Sequence, residues 1–265
     1  MNKAQKFFTG MAFSHALILP VFFAVAALGT KFGIWGYEFG LGTLLFKGAP
    51  VMLGITALSG LIALVMALLK KPRTGWGKPL FALLISLGIV GYLANVTQVA
   101  GANPIHDVAT DVTDPPKFSD ATMDTRRAEE SNPLPKYDVP LGKLPPWQAA
   151  PEAIKSQSHA QFIAKNYTDL TSVPLGETSP EDALKAVKAA MDDMGFDNVV
   201  ADPEAMRVEG VAETFWFGFK DDVVARIADG NVDLRSVSRV GQSDLGANAK
   251  RLGELRGKIL AGLDE

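Results

Sequence analysis

The residues of this chain best placed to do chemistry sit in a short run near its C-terminal end, residues 232–240, reading VDLRSVSRV. Alternating β-branched and polar positions there predict a strand, and side chains on a strand point to opposite faces in turn. Asp233, Arg235, Val237 and Arg239 then share one face, while Val232, Leu234, Ser236, Ser238 and Val240 share the other. Two arginines four residues apart on one face lie ~13 Å from each other, and each needs an anionic partner. Gly241, Gln242, Ser243 and Asp244 follow, and then the start of a predicted helix. A helix start offers free N–H groups and positive potential, so Arg235, Ser236, Ser238, Arg239, Gly241, Asp244 and Asn248 form a candidate anion cradle. The competing reading is structural. Asp244 or Ser243 would cap the helix, and the arginines would pair with Asp221, Asp222 or acids upstream.

His106 and Asp107 are the other candidate pair. With Asp111, Asp114, Asp120 and Asp124 they supply oxygen and imidazole donors for a divalent cation, but the spacing matches no calcium loop and Pro115 and Pro116 splay the acids apart, so no metal is assigned. The stronger expectation is that His106 and Asp107 pack their segment onto the domain, against Arg235 or Arg239. A serine hydrolase built from Ser236 or Ser238 with His106 and Asp107 is the catalytic alternative. Against it, the run from Gly241 to Gly246 is one residue too long for a nucleophile elbow, and no zinc-binding His-Glu-x-x-His, phosphate loop or dinucleotide fingerprint occurs. No cofactor is expected.

These residues are held by a chain of two unlike parts. Residues 8–30, 51–69 and 80–100 contain no Asp, Glu, Lys or Arg. A bilayer core needs ~20 apolar residues of helix, which satisfies its own backbone groups. Residues 1–101 are therefore expected to be a three-helix transmembrane anchor. Lys3 and Lys6 precede the first helix and Lys70, Lys71, Arg73 and Lys78 crowd the second link, whereas the first link has Lys31, Glu38 and Lys47. Short basic loops stay cytoplasmic. This predicts a bacterial inner-membrane protein with a cytoplasmic N-terminus and a periplasmic C-terminal domain. Cleavage after Ala24-Val25-Ala26 is the alternative fate of the first helix, and it leaves the domain on the same side. Trp35, Tyr37 and Phe39 outside and Trp76 inside suit the two interfaces. Ser59, Ala63 and Ala67 make a small-residue ladder, and Gly88 and Gly91 lighten the third helix, for internal packing or a membrane-protein partner. His15 is expected to be a neutral imidazole bonded to Ser86 or Asn95; no second titratable group occurs in the spans, which argues against proton transport.

Residues 1–101 carry a net charge of +7 and the remainder −10. An acidic outer part argues against nucleic acid and against adhesion to anionic lipid headgroups, and points to protein or small-molecule partners. Residues 102–151 contain nine of the sixteen prolines and are expected to form an extended arm, poor in helix and sheet, pinned by Ile105, Val108, Phe118, Tyr137, Leu141, Leu144 and Trp147. Residues 152–265 are the compact domain. A helix is expected over 153–164. A second follows Ser179-Pro180 and is ended by Gly195. Strands are expected at 198–201, 206–214, 223–228 and 232–240, and a closing helix at 245–263. This pattern predicts an α+β fold, an antiparallel sheet with helices on one face. The absence of cysteine suits an oxidising compartment.

The segments VDLRSVSRVGQSDLGANAKRL and NPIHDVATDVTDPPKF also resemble the signatures of the domain-of-unknown-function family 1499. The resemblance falls on His106, Asp107, Asp111, Asp114, Pro115 and Pro116, and on Arg235, Ser236, Ser238, Arg239, Gly241, Asp244, Gly246, Asn248 and Arg251. It implies a bacterial domain behind membrane helices, with relatives in the plastid lumen, and it implies no activity. Other members carry a cysteine-containing stretch that this chain lacks, so no role resting on that cysteine transfers. Together these readings favour a non-catalytic binding or assembly module, an accessory subunit of a membrane complex. The alternative is a hydrolase or small-anion binder centred on Arg235, Arg239 and His106.

Overall fold

The computed structural model describes all residues except 70, 72, 264 and 265, so the expected contribution of Lys70 to a basic loop lies outside the described residues. Two compact units divide the chain: residues 1–98 with 215–218, and residues 99–214 with 219–265.

The first unit is helical. Helix α1 (Lys3–Lys31) is capped by Asn2; a π-helical segment (Glu38–Gly48) runs into α2 (Ala49–Leu69), and α3 is Gly77–Ala102. With 29, 32 and 26 residues, these three continuous helical spans are long and apolar enough to cross a membrane. Their outward side chains, among them Leu58, Leu61, Leu84 and Leu87, are exposed, as lipid rather than water would require. Ser59, Ala63 and Ala67 are buried inside the unit, and Gly60 lies against the Pro79 carbonyl and Ala82 of α3. The small-residue ladder therefore serves internal packing. A Cβ on Gly88 or Gly91 would meet nothing, and only Pro79, Ala82 and Ser86 of α3 are buried. The expected bond from His15 is not made: Ser86 donates to Ala82 of its own helix, Asn95 is exposed, and His15 Nδ1 is buried without a partner. A serine hydroxyl can donate to its own helix backbone, which leaves it no proton to offer a neighbour.

The second unit is an antiparallel sheet between two coverings. Its elements in chain order are β1 (Asp107–Ala109), α4 (Asp120–Ala128), two 3₁₀ turns (Leu141–Lys143 and Pro145–Trp147), α5 (Glu152–Lys155), α6 (His159–Asn166), β2 (Val173–Pro174), α7 (Pro180–Asp193), β3 (Asp197–Asp202), β4 (Arg207–Glu213), β5 (Lys220–Ala228), β6 (Asn231–Ser238) and α8 (Ala247–Leu263). Strand order is β1-β6-β5-β4-β3, with β2 sharing the edge of β6 that β1 occupies. One face packs Val223, Ala225, Val232 and Leu234 against Leu184, Val187 and Met191 of α7 and Leu252, Leu255 and Ile259 of α8. On the other face Val224 and Val237 pack with Phe118, beside Met123 and Leu134. The domain is thus α+β, with α7 and α8 on one face of the sheet.

Three local expectations need correction. The helix expected over 153–164 is two helices, because Ser158 and Gln161 form a reciprocal capping box that starts α6 afresh. The proline-rich arm does form sheet and helix: its proline-free stretches supply β1 and α4, the latter capped by Ser119. The closing helix begins at Ala247 rather than Leu245, since Leu245 and Gly246 both have positive φ.

Candidate functional site

The arm crosses back over the sheet, and this crossing assembles the residues singled out in the sequence. β1 lies antiparallel to β6, placing Asp107 opposite Val237 and Ala109 opposite Arg235. Arg235 donates from Nε to Asp107 Oδ1 at 3.0 Å and from Nη2 to Oδ2 at 2.7 Å, a bidentate pair. Its Nη1 reaches the Pro116 carbonyl at 3.2 Å. Tyr137, also from the arm, donates to Asp107 at 2.6 Å. The Arg235 guanidinium lies 5.8 Å from the Phe118 ring and 5.4 Å from that of Tyr137. Asp107 is fully buried and Arg235 nearly so.

The electrostatics follow from that geometry. Burial alone would push the Asp107 carboxyl up, but the charge and hydrogen bonds of Arg235, with the Tyr137 hydroxyl, leave it below its ordinary value. Burial opposes the Arg235 cation, yet Asp107 raises its proton affinity further. Tyr137, buried against a carboxylate, is held well above the usual phenol range.

Arg239 lies just past the end of β6 and has separate partners. It grips Asp222 through Nε at 3.1 Å and Nη2 at 2.6 Å, and its Nη1 donates to Glu129 at 2.7 Å. Arg126 of α4 donates to the other Asp222 oxygen at 2.5 Å and to the Asn132 carbonyl at 2.7 Å. Arg126, Asp222 and Arg239 are all buried. Sequence reading missed Arg126. The available signal was Met123, one helical turn before Arg126 and packed beside Phe118, so that one face of α4 brings Arg126 inward.

The remaining candidates form a third knot around Asn248. Its Nδ2 donates to the His106 carbonyl and to Ser238 Oγ, both at 3.0 Å, and its Oδ1 accepts from Ser236 Oγ at 2.6 Å and from Arg251 at 2.5 Å. Arg251 also bridges to Asp221 at 2.6 Å. Asp244 accepts from the backbone N–H groups of Gly246 and Asn248 at 2.8 and 2.9 Å and so caps α8. Burial pushes the Asp244 carboxyl up to about 6 despite those two bonds. Gly241 turns at φ +89, and its carbonyl accepts from Asn132 at 2.7 Å.

His106 does not meet either arginine. Its ring stacks on Trp147 with centroids 5.6 Å apart, and Nδ1 donates to the Gln242 carbonyl at 3.2 Å. Trp147 meets His159 edge-on at 5.4 Å, and His159 stacks on Tyr137 at 5.5 Å. Burial lowers both imidazoles, His159 to about 4, so they pack as neutral aromatics. His159 carries no hydrogen bond on either nitrogen. Ser236 and Ser238 point to the α8 face and Asp107 to Arg235, so the His–Asp–Ser arrangement of a hydrolase is not assembled. Of the acids considered with His106, Asp111 and Asp114 pair with Arg226 instead, at 3.1 and 2.6 Å. Among the described residues no group of three or more His, Cys, Asp or Glu could hold a metal.

Shallow clefts among the described residues lie elsewhere on the surface. One is lined by Asp114, Lys117, Arg207 and Arg226, another by Phe196, Glu213, Lys250 and Arg251. Neither reaches Arg235 or Arg239.

The network spans β1 to α8, and over that stretch, residues 107–259, the chain matches the family described as Protein of unknown function (DUF1499). The chain belongs to this family. No curated protein and no solved structure matches it. The first and last strands of the DUF1499 domain, β1 and β6, are joined by the pair Asp107–Arg235, and its closing helix is locked to both by Asn248. Within this DUF1499 domain the segments that carry the resemblance therefore meet as a closure of the fold.

Proposed function

We propose that this protein is a multi-pass inner-membrane protein of bacteria, N-terminus cytoplasmic and C-terminal domain periplasmic, whose DUF1499 domain is a non-catalytic binding or assembly module serving as an accessory subunit of a membrane protein complex. The observation that carries this reading is the internal pairing of the two arginines. Every guanidinium nitrogen of Arg235 and Arg239 already donates to an oxygen of the chain, Asp107, Pro116 and Asp222 being buried and Glu129, the partner of Arg239 Nη1, exposed. An anion that displaced Asp107 or Asp222 would leave that carboxylate buried without its cation, which costs about 3–5 kcal/mol. The orientation is supported by the asymmetry of basic residues between the loops.

The arm is a poor docking element for a partner, because Ile105, Val108, Phe118, Tyr137, Leu141 and Trp147 are buried within their own domain. Helix α3 is the better surface, with most of its 26 residues outward. Photo-crosslinking in native membranes tests this. A probe at Leu87 or Tyr92 of α3 should give one adduct of defined mass, and a probe at the buried Ser59 should give none. Purification in mild detergent as a lone monomer, with no adduct from α3, contradicts the reading.

A further inference from the structure

The sheet has two ends, and strand register assigns each loop to one of them. β1 starts at Asp107 opposite Val237, Val237 pairs with Asp222, Ser238 pairs with Asp221, and Lys220 pairs with Glu213. The entry of the chain at residues 103–106, the exit of β6 and the β4–β5 connection therefore share one end. The β3–β4 and β5–β6 turns, at residues 203–206 and 229–230, occupy the other. Helix α3 ends at Ala102, four residues before β1, and four residues reach at most ~14 Å. The end that carries the β4–β5 connection is thus the end tethered to the last apolar helix.

The β4–β5 connection, whose residues 215–218 group with the helical unit, exposes apolar surface. Among the described residues beyond 99, the large apolar side chains exposed are Val200, Phe215 at 72%, Trp216 at 55% and Leu245 at 45%. Three of these four lie at the tethered end. The Phe215 and Trp216 rings meet edge-to-face, 5.2 Å between centroids and 86° between planes, so they form one wedge. Thr214 and Phe219 close the connection beneath them, with the Thr214 N–H donating to the Phe219 carbonyl at 2.9 Å and the Phe219 N–H to the Thr214 hydroxyl at 2.9 Å. Residues 214–220, TFWFGFK, hold four aromatic rings, one lysine and no acid, in a domain that carries a net charge of −10. The turns at the far end hold Asp202, Glu204 and Asp229 instead.

We propose that the Phe215–Trp216 wedge, with Lys220 following it in sequence, seats in the headgroup layer of the same bilayer that α1–α3 cross. Aromatic rings with a polar edge favour that layer, and a lysine beside them meets anionic headgroups there. The seating concerns residues 215–218, which group with the helical unit. It rests on the helices crossing a bilayer and holds for either orientation of the protein, so it goes beyond the reading above.

The chain has no cysteine, so single spin labels are clean reporters. Labels at Trp216→Cys, Glu204→Cys and, as a reference on α3, Leu87→Cys are read in the full chain, in nanodiscs of phosphatidylcholine and phosphatidylglycerol. Collision with lipid-dissolved oxygen is compared with collision with an aqueous nickel chelate. The expected oxygen-to-nickel ratio at Trp216 is several-fold above that at Glu204 and approaches that at Leu87. Phe215→Cys repeats the measurement should Trp216→Cys lower the melting temperature. A ratio at position 216 equal to that at 204, with Leu87 in lipid, overturns the wedge alone. Shielding from both reagents means a protein contact and overturns it too. An aqueous Leu87 overturns the crossing itself.

Discussion

Replacing Arg235 with Gln isolates the contact between the arm and the sheet. Asp107 has no exposed surface and accepts two of its hydrogen bonds from Arg235, at 3.0 and 2.7 Å, and one from Tyr137 at 2.6 Å. Gln removes the cation and at least one donor while burial, which pushes the carboxyl up, remains. Breaking a buried pair from one side costs about 3–5 kcal/mol. For a domain of this size each kcal/mol lowers Tm by ~2–4 °C, so R235Q should melt about 10 °C below the parent. The assay is thermal unfolding of the detergent-solubilised full chain by scanning fluorimetry. Removing both charges, as in D107L/R235M, should recover much of the loss, because two apolar groups of similar volume carry no desolvation penalty. A loss of less than about 2 °C in R235Q, or added phosphate stabilising the parent and not R235Q, would refute the structural role and restore Arg235 as a ligand-binding residue.

The other predictions concern the flanks of that contact. N248A removes a buried side chain that serves Ser236, Ser238, Arg251 and the His106 carbonyl, and should cost about 2–4 kcal/mol in the same assay. His159 is held down to about 4, so its neutral form stabilises the fold above the ordinary imidazole range. That stability, about 3 kcal/mol, should drain away as pH falls from 6.5 toward 4, and H159F should lose this part of the acid sensitivity without losing the fold. Asp244 has the opposite sign. Its folded value is raised to about 6, so its contribution is full below the unfolded value and is lost as pH rises through 6. D244N should therefore gain on the parent from pH 5 to pH 7, and a difference flat with pH would contradict the buried carboxyl.

Much of this fold was legible because its signals are local. Charge-free runs of about the length a bilayer core needs give α1–α3, Ser179-Pro180 starts α7, Gly195 at φ +72 ends it, and Asp229-Gly230 joins β5 to β6. The two faces of β6 were also readable from period-two alternation. What the sequence left open is non-local. Arg235 and Asp107 are 128 residues apart, and Arg126 and Asp222 are 96 apart, so no spacing rule could choose among the many acids. The proline count hid β1 and α4, since composition over fifty residues averages away proline-free windows. His106 lay near the arginines in the expected pattern, but π-stacking on Trp147 claims its ring, and a lone tryptophan in a proline-rich segment gives no hint of what it will cover.

The most direct test of the account is where the two ends of the chain's polarity lie relative to a membrane. In intact cells, a membrane-impermeant thiol reagent should label Glu204→Cys at once and Arg73→Cys only after permeabilisation, with all of the protein in the membrane fraction. Labelling of Arg73→Cys alone in intact cells, or recovery of the full chain in the soluble fraction without detergent, would contradict a domain held outside the cell membrane by three apolar helices.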